Sequence, residues 1–246
     1  MARQSRPPLP TILLTRHAAG AERFASQIRA RIGSGTRILV APLIEPVWLD
    51  PGPPPPHRAM IFTSETGVEG YCRRHGVTGS GQAYCVGEHT ASVAAAAGYR
   101  TEAAEGDAES LVAKLLAARP EGPLLHARGR HARGGVAARL SDAGIPTHEA
   151  IVYEQRPLPL SPEAQGLLAG EGPVIAPVFS PRSGALLAAA AAVGKVRAPL
   201  YLAAISPAAA EAVSGLARRR LEIARQPSAD AMLDAVRILY AAAMVP

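Results

Sequence analysis

Short turns gather most of the side chains with chemistry to offer: Thr15-Arg16, Thr63-Ser64 with Thr66-Gly67, Gly87 through Thr90, Arg128-Gly129, Ser180 with Arg182 and Ser183, and Ser206-Pro207. Each follows a short apolar run and opens a helical pattern, so each sets a hydroxyl or a guanidinium where a helix begins. The unpaired backbone N–H groups there carry partial positive charge and suit carboxylates or phosphates. Ser and Thr also cap helices without any ligand, and for a single turn both readings stand. Tyr153 closes the apolar run Ala150-Ile151-Val152 and is open to two readings as well: a packing tyrosine with its hydroxyl in water, or a hydroxyl acid facing a cleft.

Familiar catalytic constellations are missing. Gly129 and Gly134 have phosphate-loop spacing, but Gly135-Val136 stand where Lys and Ser or Thr are required. The first strand is not followed by Gly-x-Gly-x-x-Gly, and there is no Gly-x-Ser-x-Gly elbow. The seven histidines, His17, His57, His75, His89, His126, His131 and His148, include no close helical pair of the kind metals use. Carboxylates form no Asp-x-Asp cluster for Mg²⁺. The expectation is a protein with no metal site and no cofactor.

The elements that must position these turns follow from periodicity. Apolar runs of about five residues alternate with helical patterns of about ten to fifteen, the βαβ rhythm of parallel sheets covered on both faces. Strands are expected at 11–15, 37–41, 59–63, 83–86, 124–127, 150–153, 174–179 and 200–205. Helices are expected at 21–32, 90–97, 109–118, 135–143, 184–192, 207–216 and 229–243. The proline run at 51–56 reads as an extended surface loop.

At 246 residues and 48% hydrophobic content the chain can fill two ordinary cores. A formal charge of +6 favours anionic partners, although only Arg218-Arg219-Arg220 forms a dense cluster and nothing resembles a nucleic-acid motif. Cys72 and Cys85 match no redox or metal spacing and imply packing roles in a reducing compartment. The N-terminal residues lack an apolar signal region, and no run reaches membrane-spanning length, so a cytoplasmic protein is expected.

A loose duplication organises the whole. Met60-Ile61-Phe62-Thr63-Ser64 with Gly67 returns as Pro177-Val178-Phe179-Ser180 with Gly184, and Val86-Gly87 with Thr90-Ala91 returns as Ala204-Ile205-Ser206-Pro207. The period of roughly 120 residues is domain-sized. It predicts two similar parallel-sheet α/β lobes, each presenting helix N-termini to the space between them. Proline-broken runs near 42–49 and 151–159 suggest crossings, giving a discontinuous first lobe (1–43 plus 156–246), an inserted second lobe (48–151) and crossing strands at 44–47 and 152–155.

Taken in order, these segments resemble the uroporphyrinogen-III synthase family: Leu14-Thr15-Arg16, Pro42-Leu43-Ile44, Ile61-Phe62-Thr63-Ser64 with Gly67-Val68, Val86-Gly87 with Thr90-Ala91, Arg128-Gly129, Val152-Tyr153, and Phe179-Ser180-Pro181 with Ser183. The resemblance implies two α/β lobes joined by a two-stranded connection, with the active site in the cleft. It implies a cofactor-free lyase that closes the linear tetrapyrrole hydroxymethylbilane to uroporphyrinogen III with ring D inverted, on the way to haem, sirohaem and cobalamin. It further implies that Tyr153 protonates the departing hydroxyl. Arg16, Arg128 and Arg182 would then contact substrate carboxylates, and Thr63, Ser64, Thr66, Gly67, Gly87, Thr90, Gly129, Ser180, Ser183 and Ser206 would supply hydroxyls or mark the turns whose amides do. Beyond the substrate, the expected partners are a transient contact with porphobilinogen deaminase, no nucleic acid and no membrane, with the protein a monomer.

The chain departs from the family where Thr-Thr-Ala commonly follows proline, reading Ala208-Ala209-Ala210 after Pro207. His17 likewise replaces a common proline after Thr-Arg. The missing hydroxyls keep a second expectation open: a catalytically idle two-lobed module that binds a tetrapyrrole or another polyanion.

Overall fold

A computed structural model describes residues 8–76, 81–132 and 134–244. The N-terminal stretch read for a signal region, and Arg133 of the glycine-spaced loop, lie outside the described residues. The chain begins with β1 (Thr11–Leu14), α1 (Ala18–Ile32) and β2 (Arg37–Val40). It continues through β3 (Ile44–Trp48), β4 (Ala59–Phe62), α2 (Glu65–His75), β5 (Gln82–Cys85), α3 (Glu88–Ala96), β6 (Arg100–Ala103), α4 (Ala108–Ala118), β7 (Leu124–Gly129), α5 (Val136–Asp142) and β8 (Thr147–Pro157). It ends with α6 (Pro162–Ala169), β9 (Val174–Val178), α7 (Pro181–Val193), β10 (Leu200–Ala204), α8 (Pro207–Glu211), β11 (Arg220–Ile223) and α9 (Ala229–Ala243).

These elements form two compact units, one from the chain up to Glu45 and from Pro157 onward, the other from Pro46 to Arg156. The first holds a five-stranded parallel sheet in the order β11-β10-β9-β1-β2. The second is built on a six-stranded sheet, β3-β8-β7-β4-β5-β6, parallel from β8 to β6. Laid side by side, β11-β10-β9-β1-β2 matches β6-β5-β4-β7-β8 strand for strand. The duplicated sequence therefore maps β9 onto β4 and β10 onto β5, and the two units share one layout with the chain entering at a different strand.

Apolar side chains cover both faces of each sheet, as buried parallel strands require. In the first unit Leu13, Ala176 and Leu202 face one cluster, while Ile12, Leu14 and Ile175 face the other with Phe24 and Leu239. In the second, Met60, Phe62 and Leu125 face Val68 and Tyr71, while Ile61 and Leu124 face Leu111 and Leu115. Both cysteines join the first of these two clusters, and burial pushes the Cys85 thiol up to about 12.

Two strands escaped the sequence reading. β6 (Arg-Thr-Glu-Ala) and β11 (Arg-Leu-Glu-Ile) each alternate a charged with an uncharged residue, the pattern of an edge strand with little to bury. Helix starts also moved: α3 opens at Glu88 and α7 at Pro181, earlier than expected, because a capping Gly87 and a proline in the first turn both fit a helix beginning. α8 stops at Glu211 rather than continuing to 216. No helix among the described residues is long and apolar enough to cross a membrane.

Candidate active site

In doubly wound sheets ligands gather beyond the carboxyl ends of the strands, where the strand order reverses. In the second unit that point falls between β4 and β7. In the first it falls between β1 and β9. Most of the sequence-predicted residues sit at these two places.

At the β4–β7 point, Ser64 caps α2 by accepting from the Gly67 N–H at 3.0 Å. A side chain at 67 would meet the Ala127 carbonyl oxygen at 2.7 Å, so glycine is needed for α2 to approach β7. Ser64 also shares a 3.3 Å hydrogen bond with the Tyr153 hydroxyl. Tyr153 reaches this position through a bulge: Arg128 pairs with Ile151 but Gly129 pairs with Tyr153, leaving one extra residue in β8. The bulge breaks the alternation, so Val152 and Tyr153 face the same cluster. The phenol then lies on Gly129, where a Cβ would come within 2.6 Å of Tyr153 Cζ, and edge-on to Trp48 at 6.5 Å. Burial raises its pKa, the Ser64 hydrogen bond opposes this and the Glu65 charge adds to it, so the hydroxyl stays protonated well beyond neutrality.

Arg128 is engaged within the unit. Its guanidinium forms a two-pronged pair with Glu149 at 2.7 and 2.6 Å and donates to the Gly129 carbonyl at 2.8 Å. The pair holds the Glu149 carboxyl below its usual range. Beside it, Thr63 Oγ1 lies 3.0 Å from His126 Nε2, and His126 is 1% exposed with Nδ1 unpartnered. Thr66 is half-buried, while Thr90 is buried in the first turn of α3. Gly87 caps α3 through its backbone alone.

At the β1–β9 point, the Arg16 guanidinium sits 4.2 Å above the Phe179 ring, which in turn packs edge-on against Phe24 at 4.8 Å. Ser180 and Ser183 form a reciprocal capping box, with each backbone N–H donating to the other's hydroxyl at 3.1 Å, and Ser183 is buried. Arg182 is half-buried at the same helix start. Ser206 caps α8 by accepting from Ala209 N–H at 3.3 Å. Ala209 is fully buried, so a hydroxyl there would need a partner inside the core, whereas Ala208 is exposed.

Several participants were not singled out from sequence. Trp48 supports Tyr153, Glu149 holds Arg128, and His126 holds Thr63, each across strands distant in the chain. The one local hint was a histidine inside the otherwise apolar strand Leu124-Leu125-His126-Ala127. Glu65 and His89 were also passed over, and they join at 2.8 Å across the starts of α2 and α3. Among the described residues no three or more His, Cys, Asp or Glu side chains gather as a metal site would require.

Two parallel α/β units, each with amide- and hydroxyl-bearing turns at the reversal of its sheet, define a class suited to anionic small molecules. A model of the family described as uroporphyrinogen-III synthase HemD matches residues 22–234. The chain belongs to the uroporphyrinogen-III synthase family. Among curated proteins none matches. In fold the chain is similar to uroporphyrinogen-III synthetase from Helicobacter pylori, at 18% identity and TM-score 0.62 over 94% of this chain and 100% of that one. It is also similar to a mutant uroporphyrinogen III synthase from the extremely thermophilic bacterium Thermus thermophilus, at 13% identity and TM-score 0.50 over 93% of this chain and 97% of that one.

Proposed function

We propose that the chain makes uroporphyrinogen III from hydroxymethylbilane with Tyr153 as the acid, and that the reaction needs no cofactor. The observation carrying this reading is the Tyr153 hydroxyl, buried at a sheet reversal, packed on Gly129 and hydrogen-bonded to Ser64.

The phenol gives its proton to the terminal hydroxymethyl oxygen, which leaves as water. The resulting azafulvenium cation is attacked by the substituted carbon of ring D, giving a spiro intermediate. That intermediate fragments and recloses with ring D inverted, and the proton lost on restoring the pyrrole returns to the phenolate. Atoms balance as the loss of one water. A raised phenol pKa makes a weak acid, and a weak acid suffices because the pyrrole nitrogen already expels the hydroxyl. The greater task is orientation, since unaided closure gives the uninverted isomer.

Carboxylate sites are proposed in each unit by itself: the amide-bearing starts of α2 and α3 in the second unit, and in the first the starts of α7 and α8 with Arg16 and Arg182 as charged contacts. Ser64, Ser180 and Ser206 act by ordering those turns as caps, leaving remaining N–H groups for the ligand. Thr63, Thr66 and Thr90 are proposed beside them, with Gly67, Gly87 and Gly129 allowing close backbone approach. We place Arg128 here as the group that orders Gly129 rather than as a free cation. The reading is completed by a monomeric cytoplasmic enzyme that receives its unstable substrate from porphobilinogen deaminase.

The test couples the purified chain to porphobilinogen deaminase and resolves type I from type III product by chromatography. Type III product is expected. An idle binding module, the reading that Ala208 favours, would retain hydroxymethylbilane while only type I accumulates.

A further inference from the structure

His126 is a polar side chain in an apolar stretch of β7 and is only 1% exposed. Alternation along paired strands puts it on the same sheet face as Ile61, its partner in β4, and as Thr63 two residues further on. There His126 Nε2 lies 3.0 Å from Thr63 Oγ1, while Nδ1 is buried with no partner. Burial also keeps the ring neutral, with its pKa lowered to about 4. A neutral imidazole carries a single N–H, and the nitrogen that holds it decides the sense of the bond. A proton on Nδ1 would leave a buried donor with no acceptor. A proton on Nε2 leaves Nδ1 as an unused acceptor, the better tolerated of the two. Nε2–H therefore donates and Thr63 Oγ1 accepts.

The sense of that bond decides what Thr63 can do. Thr63 makes no other side-chain hydrogen bond among the described residues, so its own O–H proton is left unused within the unit. The residue is half-buried, lies directly after β4 and directly before the Ser64 cap of α2, and so stands at the β4–β7 reversal. An ionised carboxylate can only accept, and it can use Thr63 only if that hydroxyl proton is available. We propose that His126 is a positioning residue, its Nε2–H fixing the Thr63 hydroxyl as a donor to a substrate carboxylate bound at the start of α2. This rests on the functional reading given above. With the imidazole in place the hydroxyl is ordered before the substrate arrives, which lowers the cost of binding.

The experiment has two parts, both on the full chain. Nitrogen NMR of the unaltered protein reads which imidazole nitrogen of His126 carries the proton and needs no activity; Nε2–H is expected, and a proton on Nδ1 overturns the proposal. Kinetics with hydroxymethylbilane then compare Thr63→Val, His126→Phe, His126→Gln and the double variant Thr63→Val/His126→Phe, with thermal stability measured alongside. Thr63→Val is expected to raise KM by roughly 10-fold, the scale of one hydrogen bond to a charged group, with kcat little changed because the contact is made in substrate and transition state alike. His126→Phe should raise KM several-fold, and His126→Gln, whose amide N–H can replace Nε2–H, should recover part of that loss. The double variant should match Thr63→Val alone, because the imidazole acts only through that hydroxyl. A His126→Phe protein that loses thermal stability with KM unchanged, or KM effects that multiply in the double variant, would show packing alone and overturn the proposal while type III formation upholds the functional reading. If His126→Phe fails to fold, an unchanged KM in Thr63→Val overturns it equally. Absence of type III product from the unaltered chain brings down both.

Discussion

Acid titration of stability gives the sharpest physical test of the second unit, because a fully buried histidine responds to pH just below neutrality. His126 is 1% exposed among Ile61, Leu124 and their neighbours, and burial pushes its pKa from the ordinary 6.5 down to about 4. An unfolded chain binds a proton at this histidine below about pH 6.5, whereas the folded chain resists until about 4, so the unfolded state is favoured progressively as pH falls through that window. Two populations with those constants differ by about 2 kcal/mol between pH 7 and 5, and by about 3 kcal/mol between pH 7 and 4. Above about pH 6.5 the histidine is neutral in both states and the penalty vanishes. Urea unfolding of the unaltered chain and of His126→Gln, measured in steps from pH 7.5 to 4.5, reads the effect as a difference. Carboxylates held low by their partners, such as Glu149 and Asp107, also lose stability in acid, but they do so in both proteins and cancel. The expected result is a stability gap that shifts by about 2 kcal/mol in favour of the variant between pH 7 and 5. Parallel curves across that range would refute the assignment of a neutral buried imidazole.

Tyr153→Phe is expected to slow type III formation by roughly 10- to 1000-fold, reaching into the lower part of the range of general-acid effects, and an undiminished kcat would remove the phenol from the mechanism. Gly129→Ala places a methyl within 2.6 Å of the Tyr153 ring, so kcat should fall at least as far as in Tyr153→Phe, with stability lowered by about 1–3 kcal/mol. A kinetically silent Gly129→Ala would mean that the ring position is immaterial. Arg128→Met removes both prongs to Glu149 and the donor to Gly129, and should cost about 1–2 kcal/mol of unfolding free energy by urea denaturation, with loss at the low end for charged hydrogen bonds because Glu149 is partly exposed.

The regular elements were legible wherever burial is two-sided. β1, β4, β7, β9 and β10 are near-continuous apolar runs because helices cover both faces of a parallel sheet, and such a run can be recognised from the chain alone. β6 and β11 were not legible, since an edge strand has one neighbour and its composition is set mainly by solvent. The capping serines could be found locally as well: Ser64, Ser180 and Ser206 each bond an N–H three residues ahead, an interaction encoded within four consecutive positions.

Local order along the chain thus determined the α/β alternation, the helix-start turns and the repeat, whereas Tyr153, expected to end its strand, lies within β8, which continues to Pro157 because the strand runs on past the apolar segment. Tertiary structure alone decided what those turns contain. The bulge between β7 and β8 turns Tyr153 toward Ser64, and only the pairing of strands distant in sequence can create it. Glu149 takes up Arg128, His126 takes up Thr63 and His89 takes up Glu65, each across 21 to 63 residues of chain. Caps and apolar runs arise from interactions between near neighbours, which spacing reveals. A buried charge or hydroxyl finds its partner wherever the sheet order brings one, and that order is a property of the folded chain.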